Sequence, residues 1–293
     1  MNRPAILVTG ATSQIGVFAI PRLLHAGFRV VALSRKGKPE RDTQYDQVQW
    51  LTGPADPGTV NTCQYLLSAA PMTVALEILQ SGKHFHTAVV FSSTSVITKQ
   101  QSSDPAERQQ IQEMIGLESE FESLASARRL KLLILKPSMI YGCGLDTNIS
   151  RLGGWIRRFG FIPINGKANG LRQPVHADDL AAAAVTALLS EVSLPSSLVL
   201  AGGSTLSYAD MVTRIFTAMD QPARLLRVPQ WLFILLVNIL AVFRPAMGIN
   251  SEMVRRQTVD LVFDNRQAME LLGFSPRPFE PTIKDFVLPY SDL

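Results

Sequence analysis

The chain has 293 residues, 46% of them hydrophobic and 18% charged, with a formal net charge of +4 and a pI of about 9.2. That apolar content excludes intrinsic disorder and provides for one large α/β domain, or such a domain with a smaller appendage. The cations fall in scattered pairs, Arg128-Arg129, Arg157-Arg158 and Arg255-Arg256, so no nucleic-acid partner is expected, and two cysteines, Cys63 and Cys143, supply neither a disulfide scaffold nor a metal-ligand spacing.

In chain order, an apolar strand over 5–9 is followed by a helix over 14–26 that stops at Gly27, and by a strand over 29–34. Further strands are predicted over 48–52 and 65–69, the latter ended by Pro71, then a helix over 73–80 and a strand over 88–92. A polar stretch, 98–108, leads into a helix over 109–127, and a strand over 130–135 ends at Lys136-Pro137. Strands alternating with helices predict a doubly wound parallel sheet. From about residue 143 glycine and proline become frequent; an alanine-rich helix over 178–189, a strand over 198–201 and a helix over 208–219 follow. The division expected is 1–143 for the nucleotide-binding part and mainly 144–293 for a substrate-binding part, with segments returning to the sheet. The stretch 231–243 is the most apolar and is broken by Asn238. It is too short to span a bilayer, which needs about 20 apolar residues, and reads as a buried or lid helix, with a membrane-surface role as the alternative. The start passes straight into Ile6-Leu7-Val8, with no signal-peptide pattern, and a reducing cytoplasm is the expected compartment.

The chemistry begins at the first turn. Gly10-Ala11-Thr12-Ser13-Gln14-Ile15-Gly16 lies between strand one and helix one, the device that holds a pyrophosphate on main-chain N–H groups. Gly10 lets the chain reverse, Gly16 lets the helix approach the sheet, and Ser13 stands where many such loops carry a third glycine. Strand two ends in Ser34-Arg35-Lys36 rather than in an acid. Two cations there suit a ribose 2′-phosphate, so NADP is favoured over NAD; in the alternative reading Arg35 stacks on adenine and accepts either coenzyme.

The first turn, Phe91-Ser92-Ser93-Thr94-Ser95-Val96, Lys136-Pro137-Ser138-Met139-Ile140-Tyr141-Gly142 and the run from Leu171 to Ala181 through Arg172 and His176-Ala177-Asp178-Asp179 occur in that order. Together they resemble the NAD-dependent epimerase/dehydratase family, the extended short-chain dehydrogenase/reductases that act on nucleotide sugars. The resemblance implies a Rossmann-type sheet with a smaller C-terminal α/β substrate subdomain, and hydride transfer at a sugar carbon. It places Ser93 at the catalytic hydroxyl, with Thr94 as the neighbour that could replace it. It assigns Ser68, Ala69 and Ala70 to a coenzyme-facing loop, Pro137 and Ile140 to the nicotinamide side, and Arg172 and Asn148 to a nucleotide-sugar diphosphate. A homodimer through the helices after strands four and five is also implied.

The family's Tyr-x-x-x-Lys dyad is missing. Of the five tyrosines, Tyr45, Tyr65, Tyr141, Tyr208 and Tyr290, none has a lysine four residues later. Aligning the helix puts Glu113 at the tyrosine position, as a candidate base or as part of a solvated face, and Leu117 at the lysine position. Pro54 replaces the acid that usually follows strand three, with Asp56 nearby. His176 reads as a structural cap of the following helix rather than as a ligand. Two functions are therefore expected: an atypical epimerase, dehydratase or reductase, or a coenzyme-binding sensor or scaffold without turnover.

Overall fold

The computed structural model describes residues 3–39, 46–53, 57–243 and 250–289. Pro54, Ala55, Asp56, Tyr45 and Tyr290 lie outside the described residues. The chain opens with β1 (Ala5–Thr9), α1 (Gln14–His25), β2 (Arg29–Ser34), β3 (Gln49–Thr52), the single turn α2 (Pro57–Val60), β4 (Tyr65–Ser68), α3 (Met72–Gln80) and β5 (Thr87–Phe91). A one-turn helix α4 (Ser95–Thr98), the long α5 (Pro105–Arg128) and β6 (Lys131–Pro137) follow. The second half runs β7 (Ile140–Tyr141), α6 (Ile149–Phe159), β8 (Ile162–Asn165), β9 (Leu171–Arg172), β10 (Val175–His176), α7 (Ala177–Leu189), β11 (Ser197–Leu200), β12 (Leu206–Ser207), α8 (Tyr208–Ala218), β13 (Leu225–Val228), α9 (Gln230–Phe243), α10 (Ser251–Arg256) and α11 (Arg266–Leu272), and ends in a 3₁₀ turn, Ile283–Phe286.

Seven strands form one sheet in the order β3-β2-β1-β4-β5-β6-β11, every pairing parallel. The order reverses between β1 and β4, so a crevice opens there at the carboxyl ends of the strands, where open α/β sheets take their ligands. Alternation along the strands separates two cores. Ile6, Val8, Val30 and Val89 face α1 and α7, whereas Leu7, Val31, Leu66 and Val90 face α3 and α5. A third core, around Ile149, Ile156, Ile164, Ile215, Phe216 and Phe279, belongs to the second half.

The long helix starts at Pro105, earlier than the hydrophobic pattern predicts. Asp104 caps it, accepting from the N–H of Ala106 at 2.9 Å, and proline at the first position loses no needed donor. The apolar segment 231–243 does form a helix, α9, but it is not buried. Among its side chains described, only Val237 is buried, while Trp231, Leu235, Leu236, Ile239 and Phe243 are exposed. This overturns the expectation of a buried helix; high hydrophobicity alone does not say which faces find a partner.

Polar ties join the two halves. Asp178 at the start of α7 pairs with Arg22 of α1 at 2.6 Å and with Arg277 of the tail at 2.7 Å; Arg277 also reaches Asp179 at 2.7 Å. Glu107 in the first turn of α5 pairs with Arg256 of α10 at 2.6 Å and with Lys99 at 2.9 Å, and accepts from the Ser102 hydroxyl at 2.5 Å. Burial alone would raise the Glu107 carboxyl, but these three donors overcome it and hold the pKa down at about 2.

Candidate active site

The turn after β1 is built on close approach. Gly10 has φ +64°, and a Cβ there would stand 2.5 Å from the Ala69 carbonyl; a Cβ on Gly16 would stand 2.3 Å from the Gly10 carbonyl oxygen. Ser13 caps α1, its hydroxyl accepting from the Gly16 N–H at 3.2 Å. Thr12, Gln14 and Ile15 leave their N–H groups without an acceptor among the described residues, as the first turn of a helix does, and such donors can take an anion. Gln14 also carries a buried side-chain Oε1 without a partner; turning the amide over would present its NH₂ there instead. Across the crevice, Thr9 Oγ1 donates to Ser68 Oγ at 2.7 Å and the Ala69 N–H donates to the Thr9 carbonyl at 3.0 Å, which fixes the Ser68-Ala69-Ala70 edge beside the turn. After β2, Ser34 is tied back to the Gly37 carbonyl at 2.7 Å. Arg35 and Lys36 point outward, exposed and with no ion pair among the described residues.

At the ends of β5 and β6 the structure assembles a polar cluster that sequence reasoning missed. Ser92 Oγ donates to Glu118 Oε1 at 2.6 Å, and Lys136 Nζ pairs with Glu118 Oε2 at 2.9 Å. The two charged side chains are only 12% and 17% exposed. The signal for them was present. Glu118 follows Ile111 by seven residues and precedes Phe121 by three, on the buried stripe of α5, and Lys136 ends an otherwise apolar run, Leu132 to Leu135. Glu113 lies off that stripe. It is exposed and accepts from Gln109 at 3.0 Å, so the structure does not bring it to the crevice. Ser93 is half-buried beside this cluster, its hydroxyl donating to Ser95 Oγ at 3.1 Å. Thr94 is turned away: its hydroxyl and its N–H both donate to the Pro137 carbonyl, at 3.1 and 3.0 Å. Pro137 is buried and Ile140 is half-buried, paired with Val175.

Arg172 is not the free anion-gripping fork that the resemblance implies. It is buried, and its Nη1 donates to the carbonyls of Leu171 and Val259 at 2.7 and 2.8 Å, while Nη2 donates to the Arg256 carbonyl. Burial lowers its pKa to about 10, which leaves it charged at neutral pH. Asn148 precedes α6, exposed and without a side-chain capping bond. His176 caps α7, as its sequence context predicts: Nδ1 accepts from the Asp178 N–H at 3.1 Å, which leaves Nε2–H to donate to Asp285 at 3.0 Å. No described tyrosine lies on α5. Tyr65 is in β4, Tyr141 is buried edge-on against His176, and Tyr208 lies beneath the Arg172 guanidinium. No cluster of residues suited to a metal occurs among the described residues.

A concavity of about 890 Å³ lies at the opposite, amino-terminal edge of the sheet, lined by Arg3, Phe28, Arg29, Tyr65 and His86 among others. It faces away from the phosphate turn and the polar cluster, so the carboxyl-edge crevice is the better candidate site.

Sheet order and first turn together define a Rossmann-type doubly wound architecture. No family model matches the chain. A UDP-glucose 4-epimerase of Vibrio cholerae is 26% identical over 159 residues, 54% of this chain and 46% of that protein, so the match spans about half the relative's length. The UDP-glucuronic acid 4-epimerase of Bacillus cereus, solved with NAD, superposes with a TM-score of 0.71 at 15% identity, covering 98% of this chain and 97% of that one. MoeE5, solved with UDP-glucose and NAD, superposes with a TM-score of 0.64 at 20% identity over 94% of each chain. At these identities the structures establish a shared fold.

Proposed function

We propose that this chain is a nicotinamide-coenzyme-dependent enzyme of the epimerase/dehydratase type acting on a nucleotide sugar. The reading is carried by one juxtaposition: the phosphate turn at Gly10–Gly16 and, two strands along the same sheet edge, the Ser92–Glu118–Lys136 cluster beside Ser93. The V. cholerae protein, named a UDP-glucose 4-epimerase, and the B. cereus and MoeE5 proteins, both solved with NAD, support it. The alternative of a sensor without turnover draws no support from them.

The turn fits a dinucleotide. Its glycines let the turn close against Ala69-Ala70 and against the start of α1, and the free N–H groups of Thr12, Gln14 and Ile15 suit the diphosphate. When bound, the nicotinamide ring would accept and return a hydride. The chain's own residues would handle the proton. Ser93 donates a hydrogen bond to the sugar oxygen and polarises it. Glu118, paired with Lys136, is the proton acceptor, reached through the Ser92 hydroxyl: the sugar O–H proton passes to Ser92 Oγ as the Ser92 proton passes to Glu118. The pair thus takes over the role of the absent tyrosine and lysine. Arg35 and Lys36, free at the end of β2, favour NADP over NAD.

Calorimetry with each coenzyme, followed by a panel of UDP-sugars monitored at the reduced-nicotinamide absorbance, tests the reading. Glu118→Gln is expected to retain coenzyme affinity and to lower kcat by about 10²–10⁴-fold. No heat with either coenzyme refutes the function; coenzyme binding with full activity in Glu118→Gln refutes the proton route.

A further inference from the structure

The face of α9 is without a partner among the described residues, and it is organised. Trp231, Leu235, Ile239 and Phe243 recur every four residues and form one ridge, exposed by 69%, 49%, 47% and 76%, while Val237 on the opposite side packs inward. The ridge does not stand alone. Pairing of β8 with β13 brings Phe161 beside Arg224, whose carbonyl accepts from the Ile162 N–H at 3.0 Å, and aligns Leu226 with Pro163. Phe159, Phe161 and Leu226 are exposed, as are Arg157, Arg158, Arg224 and Arg227. None of these four arginines has an ion pair among the described residues.

Charge is segregated in the same way. Residues 147–177 and 221–251 carry eight lysines and arginines and no acid, with Asp146, Asp178, Asp220 and Glu252 at their borders. The remaining chain is therefore net negative by four, while the whole is net positive by four. An apolar helix face with a tryptophan at its start, preceded in the chain by Arg224 and Arg227 and free of acidic residues, is complementary to an apolar layer beneath a negative one. No helix among the described residues is long and apolar enough to cross a membrane, so the fit is to a surface.

We propose that the α9 ridge, with Arg224 and Arg227 beside it, docks on the surface of an anionic phospholipid bilayer. The ridge enters the boundary between headgroups and acyl chains, and the arginines pair with lipid phosphates.

Sedimentation of the purified full chain with vesicles tests this, using equimolar phosphatidylcholine and phosphatidylglycerol against phosphatidylcholine alone. The expected result is partition onto the anionic vesicles only, weakened by salt. Leu235→Glu with Ile239→Glu is expected to abolish it, and Arg224→Gln with Arg227→Gln to weaken it by about thirtyfold. The arginine pair is fully on the surface, so it keeps the test valid if the ridge variant fails to fold. No partition by the natural chain overturns the proposal, as does equal partition onto both vesicle types. It is also overturned if ultracentrifugation shows self-association that the ridge variant abolishes while vesicles bind neither protein, since a second copy then covers the ridge.

Discussion

Glu107 ties the first turn of α5 to α10, and its replacement by glutamine gives a quantitative test of that clamp. Its carboxyl sits at about 2, against an ordinary value of 4.5. At about 1.4 kcal/mol per pKa unit the depression corresponds to roughly 3 kcal/mol, which partial water access reduces to about 2 kcal/mol. The sign follows from a folded-state pKa below the unfolded one: the stabilisation is complete above pH 4.5 and is lost as pH falls from there toward 2. Urea unfolding at neutral pH should therefore find Glu107→Gln less stable by about 2 kcal/mol, with the gap from the natural chain roughly 1 kcal/mol smaller at pH 3.5. A gap of the same size at both pH values would refute the reasoning, because the loss would then come from packing rather than from charge.

Gly16→Ala should lower coenzyme affinity at least about tenfold by calorimetry, because the added methyl meets the Gly10 and Ala11 carbonyls at 2.3 and 2.6 Å and the turn must shift. Arg172→Met should cost about 1–3 kcal/mol in chemical unfolding, since the Val259 carbonyl loses its guanidinium donor and those of Leu171 and Arg256 keep only their main-chain donors; unchanged stability with a raised KM for a nucleotide sugar would instead return Arg172 to the ligand. Arg35→Ala with Lys36→Ala should reduce the preference for NADP over NAD about tenfold or more, measured as the ratio of dissociation constants.

The nucleotide-binding half was legible because its signals are local. Strand one, its glycine turn and its capped helix lie in twenty-one consecutive residues, Ala5 to His25, and each sheet strand is a short apolar run with a clear break. The doubly wound parallel sheet follows from that rhythm; the strand order within it does not. The polar cluster was harder to see, since Ser92, Glu118 and Lys136 belong to a strand end, a helix and another strand end, and meet only through the parallel pairing of β5 with β6. Aligning α5 by the expected dyad led to Glu113, whereas the helix's own apolar stripe, Ile111 to Phe121 to Ala125, turns Glu118 inward. Arg172 misled for a related reason. Its segment resembles an anion-binding motif, but its guanidinium is taken up by carbonyls some 84 and 87 residues further on, and no local pattern reports such partners. The exposure of α9 was invisible as well, because a helix apolar on all sides carries no periodic marker of the side left bare.

The tie between Arg22, Asp178 and Arg277 has a consequence for biosynthesis. The core on that side of the sheet draws on Ile6 and Val8 near the start, Leu180 and Leu198 in the middle, and Leu272 and Phe274 near the end. A nascent chain leaving the ribosome can form its first βαβ unit early, with α1 on this face, but α7 and α11 add their share of the core only after residues 177–189 and 266–272 have emerged. Such a polypeptide should stay open to chaperones, and to protease, until α11 has docked beside α7.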